Sequence, residues 1–520
     1  MKILVFHGYL LRGTGSNIYN ASLMAAFAEL GHEVHICCQD SHVGELPLVG
    51  AVGRWQGGKL HVEGDSAAQV TAYLPDIGRI LPVYVADEYE GFDAKPFLDL
   101  TDDELDQYIA SNVAAVRDVV ERVQPDVALA NHALMGPVVM ARGLPDEVPY
   151  AVKIHGSALE YTLRPDPDRF LPYAKEGVAR AKGVLVGSHH MAERLWQFMP
   201  ETRERTRLGP PGVDVKRFVP LEPAAAAEEL SGLATRLEGG AAAGWGGDAG
   251  APAALRALDP ERDALVSFVG KLIVSKGVDL LLAAWPLVVS RVPNARLCMV
   301  GFGTYRDACE RIVAALGAGD LDALREIAAR GRELEGGPAG ELRFLAAFLD
   351  GLTGERRDAY LASAREAAGR VHFTGRLEHD DLPDLLPACL AQVVPSTFPE
   401  AFGMVAAEAA ACGVLPLSAA HSGLAEVTAI LAPSLDPELQ RLLSFDVGPG
   451  SVEEIAERLV TWLTLDPERR RAAGAALAHT AAGRFGWERV AEGVIAAAQG
   501  RLDQLPDAAP AGESQRPPLG

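Results

Sequence analysis

Short apolar runs recurring between amphipathic stretches constrain this chain more than any other feature. KILVFHG, EVHICCQ, DVALANH, YAVKIHG and GVLVGSH come first; ALVSFVGKL, ARLCMVG, VHFTG, AQVVPS and VLPLSAA follow after a break. Each suits a strand buried on both faces. Strands separated by helical patterns need crossover connections, which give parallel sheets covered by helices. The two series predict an α/β chain with two Rossmann-like domains facing a central cleft. The break, near residues 221–260, contains EPAAAAEEL and EGGAAAGWGGDAGAPAA and reads as a loosely ordered surface insertion. A second insertion, roughly 316–369, is rich in Ala, Leu, Glu and Arg. It is expected to be mostly helical, as a surface excursion, a lid or an oligomer contact. The tail DAAPAGESQRPPLG is polar and Pro-rich, and is expected to be disordered.

Charge narrows the partners. The 520 residues carry a formal net charge of −22. A nucleic-acid binder needs a basic footprint, so that class is excluded, and docking on anionic lipid is disfavoured. Six cysteines without CxxC spacing read as buried reduced thiols, which fits a cytoplasmic protein. No apolar run approaches the length of a transmembrane segment. The start, MKILVFHGYLLRGTGSN, reads as a buried first strand running into a glycine turn rather than a secretory leader.

Three stretches could carry chemistry. In GYLLRGTGSNIYNASLMAAFAELGHEV, Gly13 and Gly15 would let the backbone approach a phosphate at a helix N-terminus; a tight packing turn explains them equally. In FVGKLIVSKGVDLLLAAWP, Lys271 and Lys276 lie just past a strand end, where ligands collect in open α/β sheets. Two point charges there suit a diphosphate, against the alternative of solvated lysines. In PSTFPEAFGMVAAEAAACG, Glu400 precedes a helix beginning near Phe402-Gly403, and Glu408 lies inside it on a small apolar surround. That acid needs a hydroxyl partner or solvent, unless the two glutamates are a coincidental exposed pair. Gly413 is placed to end the helix. Asp166 and Asp168 in RPDPDRF form an Asp-x-Asp in a Pro-rich loop, far in sequence from the lysines and a weak candidate for a metal. In DEYEGFDAKPFLDLTDDELDQY, Thr101 and Glu104 read as a capping box. Asp87, Glu88, Glu90 and Asp93 are left over, as a solvated loop or a surface for a cationic acceptor.

Taken in chain order, several of these stretches resemble the retaining glycosyltransferases of family 4, which have the GT-B fold. They are the glycine turn at 13–16, KIHGS at 153–157, GPPGVDVKRF at 209–218, FVGKLIVSKGVDLL, LCMVGFG, VHFTGRL and PSTFPEAFGMVAAEAAACGVLPL. The likeness covers most of the chain outside the two insertions. It implies transfer of a hexosyl-type sugar from a nucleotide-diphosphate donor to an acceptor hydroxyl, with retention of anomeric configuration. By position, Lys271 and Lys276 would hold the donor diphosphate, sharing it with the backbone at Gly13 and Gly15 and around Phe402, Gly403 and Met404. Leu377, closing VHFTGRL, joins the donor-binding set. Glu408 would hold the ribose hydroxyls and Glu400 the hydroxyls of the transferred sugar. His155 matches the family histidine near the reacting sugar and, with Glu400 and Lys276, makes the implied catalytic set; alone it reads as a satisfied residue at a strand end. The leaving phosphate would take the acceptor's proton, so no protein nucleophile, cofactor or metal is expected.

The resemblance also implies domain bounds. They are an acceptor-side domain at 1–215, a nucleotide-sugar domain at 216–484, a helix at 485–505 returning to the first domain, and a tail at 506–520. Two departures stand out: Lys271 takes a place where the family usually has arginine, and GPPGVD lacks the more usual asparagine before its second glycine. A nucleotide-sugar epimerase of the same fold, or a non-catalytic nucleotide-sugar scaffold, are the alternative functions.

Overall fold

Ile3, Leu4, Val5 and Phe6 are each at most 1% exposed, so the first strand, β1 (Lys2–Phe6), is covered on both faces. The computed structural model describes residues 1–13, 15–65, 67–84, 91–238 and 248–509. The chain forms two units, Met1–Gly212 with the residues from Gly486 onward, and Val213–Phe485.

In the first unit the strands after β1 are β2 (Glu33–Cys37), β3 (Ala51–Gln56), β4 (Lys59–Gly64) and β5 (Val70–Leu74). β6 (Ile80–Val83) and β7 (Asp93–Pro96) pair with each other apart from the main sheet. Then come β8 (Val127–Asn131), β9 (Tyr150–Lys153), β10 (Gly183–Val186) and β11 (Thr206–Leu208). The main sheet has nine strands in the order β11-β10-β9-β8-β1-β2-β5-β3-β4. All its pairs are parallel except β3–β4, a hairpin closed by Gly57 and Gly58, both at positive φ. A Gly-Gly step between two extended runs is the sequence signal for such a turn. The helix Trp487–Ala498 packs on this unit, its Val490, Val494 and Ile495 joining the core built on Ile3, Val5, Val127 and Leu129.

The second unit holds β12 (Ala264–Val269), β13 (Ala295–Val300), β14 (Val371–Gly375), β15 (Ala391–Val394), β16 (Leu415–Ala419) and β17 (Ser444–Phe445). Its sheet is wholly parallel, in the order β14-β13-β12-β15-β16-β17. Both sheets reverse winding beside their first strand: β1 lies between β2 and β8, and β12 between β13 and β15. In an open α/β sheet, ligands bind at such a reversal, past the carboxyl ends of the strands.

The predicted α/β class and every strand of the two apolar series are present. So are the helices of the second insertion, Leu321–Arg330, Arg343–Asp350 and Gly354–Ala368, which follow the helix Arg306–Ala318 that runs into it. The last packs against Val278–Val289, and Tyr360 donates to Ala283 O at 2.9 Å. The break is not loose where it is described. Pro223–Glu238 is a helix burying Ala226, Leu230, Leu233 and Ala234, one stripe of helical periodicity hidden in an Ala-rich composition. Residues 239–247 lie outside the described residues. The tail is ordered further than expected. Leu208 N–H donates to Pro506 O at 3.0 Å, Ala508 is fully buried, and its carbonyl accepts from His189 Nδ1 at 2.8 Å. Residues 510–520 lie outside the described part. Asp166 is not a loop residue with a free carboxylate: it caps the helix Pro167–Ala179, accepting from Arg169 N–H at 3.2 Å. The Thr101–Glu104 capping box forms as read. Asp93 meets Arg79 at 3.4 Å, whereas Asp87, Glu88 and Glu90 fall outside the described residues.

Candidate functional site

In the second unit the candidate residues gather at the winding reversal. β12 delivers Lys271 and a short 3-10 turn, Val274–Lys276; β15 delivers Ser396 and Glu400. Gly277 lets the two loops touch: its φ is +63°, and a Cβ there would overlap Pro395 O. Thr397 N–H then donates to Ser275 O at 2.9 Å. This approach brings Lys276 Nζ onto Glu400 Oε1, where Ser396 Oγ also donates at 2.6 Å. Burial alone would raise the Glu400 carboxyl. The charge and hydrogen bond of Lys276, with help from Ser396 and His421, outweigh it and hold the group below the usual carboxylate range. The Glu400 backbone is fixed as well: its N–H donates to Ser422 Oγ at 2.9 Å, and its carbonyl accepts from Gly423 N–H at 3.1 Å. His421 Nε2 donates to Ser396 O at 2.8 Å.

The helix Met404–Ala411 begins directly after this loop. Its N-terminus has no side-chain cap and no acid in its first turn. The unpaired N–H groups there, and the helix dipole, suit an anion. Ala406, Ala407, Ala409 and Ala410 are fully buried, so the helix lies close on the sheet. Glu408, 2% exposed, has a partner other than hydroxyl or water: His379 Nε2 donates to Glu408 Oε1 at 2.8 Å. Burial would lower the His379 pKa, but the hydrogen bond and charge of Glu408 more than reverse this, raising it above 6.5. Lys271 Nζ stands 6.0 Å from the Phe302 ring centroid, and the Arg376 guanidinium 5.4 Å from the same ring. Leu377, 8% exposed, follows Arg376, whose guanidinium meets Glu378 at 3.1 Å. Phe402 is 6% exposed, its ring edge-on to Phe485.

The first unit, taken by itself, repeats this pattern. Gly13 and Gly15 have φ of +104° and +60° and lead into the helix Ser16–Glu29, which likewise lacks a side-chain cap and a first-turn acid. His155, just past β9, donates through Nε2 to Asn131 Oδ1 at 2.7 Å and stands edge-on to Tyr19 at 5.0 Å. Burial, followed by the fields of His132, Lys153 and His7, depresses the His155 pKa well below 6.5, so the ring is neutral. Lys153, 2% exposed, donates to Gly209 O and lies 5.3 Å from the Tyr19 ring; burial lowers its pKa to about 7.

Gly13, Gly15 and His155 thus belong to the first unit, and Lys271, Lys276, Leu377, Glu400, Phe402, Gly403, Met404 and Glu408 to the second. Within the second unit, Lys276 and Glu400 are brought into contact. Glu408 is engaged by His379. Sequence reasoning assigned no role to His379, Ser396, Ser422, Arg376 or Asn131. Arg376 and Ser396 lay inside stretches already singled out, and a buried acid demanding a partner was the signal for His379.

Residues 14–212 match the family model of the glycosyl transferase 4-like domain, and residues 351–478 that of glycosyl transferases group 1. The first range contains Gly15 and His155, and the second Leu377, Glu400 and Glu408. The D-inositol 3-phosphate glycosyltransferase of Segniliparus rotundus is 28% identical over 344 residues, which cover 65% of this chain and 56% of that protein. The protein of that name from Frankia alni is 26% identical over 414 residues, covering 78% and 82%. The structure of Anabaena HepE in complex with UDP aligns with a TM-score of 0.56 at 16% identity, covering 97% of this chain and all of that one.

Proposed function

We propose, since the chain belongs to the group 1 glycosyltransferases of family 4 type and has the GT-B fold, that it moves a sugar from a nucleoside-diphosphate donor to an acceptor hydroxyl, with retention of configuration. The observation carrying this reading is the second unit's winding reversal, where Lys276 meets Glu400, Lys271 follows the same strand, and Glu408 lies in a helix whose N-terminus is uncapped. A diphosphate takes the cations and the free N–H groups. Fixed donors of this kind stabilise the charge developing on the leaving group, each worth about 3–4 kcal/mol at the transition state. Lys276 already holds Glu400, so the donor's phosphate and Glu400 share one cation. Glu400 then reaches the sugar hydroxyls, and Glu408, held by His379, the ribose. In this reading Gly13, Gly15 and the N-terminus of Ser16–Glu29 offer N–H groups to an anion, and His155 offers its ring to a substrate hydroxyl. The lysines supply the charge a divalent metal would, so the reading uses none.

The acceptor is a polyol, and inositol phosphate is the first to test, because the relatives at 28% and 26% identity carry that name. A cytoplasmic site of reaction fits six unbridged, buried thiols. Among the described residues, no helix is long and apolar enough to cross a membrane.

A thermal-shift panel of nucleotide sugars tests the donor, because a ligand of the native state raises apparent stability by mass action. Release of nucleoside diphosphate with the best donor, and the anomeric proton coupling of the product, then test transfer and retention. An inverted product would overturn retention. Epimerised sugar formed without acceptor would favour the epimerase, and tight donor binding without turnover a scaffold.

A further inference from the structure

Beyond β1, β8 and the start of the helix Ser16–Glu29 lies a buried hydrogen-bonded chain that the proposed transfer leaves unused. Asn131 and Asn20 are fully buried, and His7 is 2% exposed. Every direction in this chain is fixed by backbone carbonyls, which only accept. Asn131 Nδ2 donates to Phe6 O at 3.1 Å and to Asn20 Oδ1 at 2.8 Å, using both its hydrogens. Asn20 Nδ2 donates to Ser16 O at 2.8 Å and to His7 Nδ1 at 3.1 Å, again using both. His7 Nδ1 therefore carries a lone pair, and its Nε2–H points at Leu10 O and Asn17 Oδ1, both at 3.0 Å. Asn17 Nδ2 closes the chain on Arg12 O at 2.9 Å. No amide in it can be turned over without setting an N–H against an N–H or an oxygen against an oxygen.

The consequence falls on His155. With its amide nitrogen committed to Phe6 O and Asn20, Asn131 offers only Oδ1 to His155 Nε2, at 2.7 Å. We infer that Asn131 is a positioning residue that holds His155 as the Nε2–H tautomer, leaving Nδ1 as a hydrogen-bond acceptor for a substrate hydroxyl. Nδ1 has no hydrogen-bond partner among the described residues, and the ring is pinned on its other side by the edge of Tyr19. Tautomer and orientation of a working histidine are commonly set by the bond its second nitrogen makes. Here that bond runs through two asparagines to the turn carrying Gly13 and Gly15, so His155 and the phosphate turn are aligned by one rigid network.

The tautomer follows from geometry alone; its use on a substrate hydroxyl rests on the transfer reading. The full-length protein labelled with 15N-histidine, with His155→Gln to assign the signal, reports the tautomer directly. At neutral pH the His155 ring is expected to show a protonated Nε2 and a bare Nδ1. A protonated Nδ1, or averaging of the two forms, would overturn the assignment without any variant at Asn131. In Asn131→Leu the two tautomers should mix and kcat should fall about tenfold to a hundredfold, while affinity for free nucleoside diphosphate stays within about twofold. Asn131→Asp still accepts from Nε2, so the tautomer should survive there, with a raised His155 pKa that shifts the acid limb of the kcat profile upward. Mixed tautomers with unchanged kcat in Asn131→Leu would overturn the functional half. Failure of the wild-type protein to turn over any donor would instead strike the transfer reading and leave the tautomer standing.

Discussion

Glu400 and Glu408 lie at the two sides of one helix start and meet different partners, Lys276 and His379, so substitutions there should fail differently. Glu408→Ala should weaken nucleoside diphosphate binding about tenfold to a hundredfold, because a charge-assisted hydrogen bond to the ribose is worth roughly 1.5–3 kcal/mol. Glu400→Gln should leave that binding intact or tighten it, since it frees Lys276 for the phosphate, while lowering turnover and blurring the choice between sugars. Calorimetry with the free diphosphate, then turnover with the full donor, separates the two; the reverse pattern would exchange their roles. The His379–Glu408 pair also has a pH signature. The folded-state pKa of His379 is raised above 6.5, so the pair's contribution is complete below that value and is lost as pH rises through the raised pKa. The melting temperature of wild type should exceed that of His379→Gln most at about pH 6, and the gap should close in the alkaline direction. A gap that widened with rising pH would mean His379 is held neutral.

At the scale of elements, the helical insertion does more than cover the second unit. Glu335, between two of its helices, accepts from Val274 N–H at 2.8 Å, at the first residue of the turn that ends in Lys276. Arg332 holds the same carboxylate at 3.2 Å. A distant carboxylate thus replaces the local cap that this turn lacks. Glu335→Ala should release the turn and weaken nucleoside diphosphate binding about threefold to tenfold, since the hydrogen bond lost from one backbone N–H is worth around 1 kcal/mol. Glu335→Gln keeps an acceptor oxygen and should recover most of the loss. Equal affinity in all three proteins, measured by calorimetry, would show the turn to be rigid without the insertion.

At the scale of the whole molecule, each unit has its own core, one built on Ile3, Val5, Leu129 and Val494, the other on Leu265, Val266, Leu281 and Leu417. Unfolding therefore need not be a single transition. If the diphosphate is held chiefly by the second unit, saturating ligand should raise that unit's transition, by about 2.7 kcal/mol at a hundredfold excess over Kd. Scanning calorimetry with peptide-level hydrogen exchange checks this. Amides of β12, β13 and β15 should gain protection while those of β2 and β5 change little, and uniform protection would contradict it.

The local pattern of the chain determined which residues become strands, because burial on both faces demands uninterrupted apolar runs and helices demand a 3.6-residue stripe. It placed His155, Lys271 and Glu400 at strand ends, since polar residues and glycines stop those runs. It left β3–β4 unread although Gly57-Gly58 marks the turn, and it misjudged 223–238, where alanine obscured a real apolar stripe. Which strand ends become neighbours is not a local property. β12 and β15 are joined only by a long stretch of intervening chain, and β13 and β14 lie between them in sequence but not in space. The contact of Lys276 with Glu400, the pairing of His379 with Glu408 and the run from His155 to His7 all cross such separations. Strand order is settled by how crossover helices pack and by right-handed connection, which bury area between residues far apart in the chain. Only the folded sheets could therefore say which partner each glutamate meets and which nitrogen of His155 carries the proton.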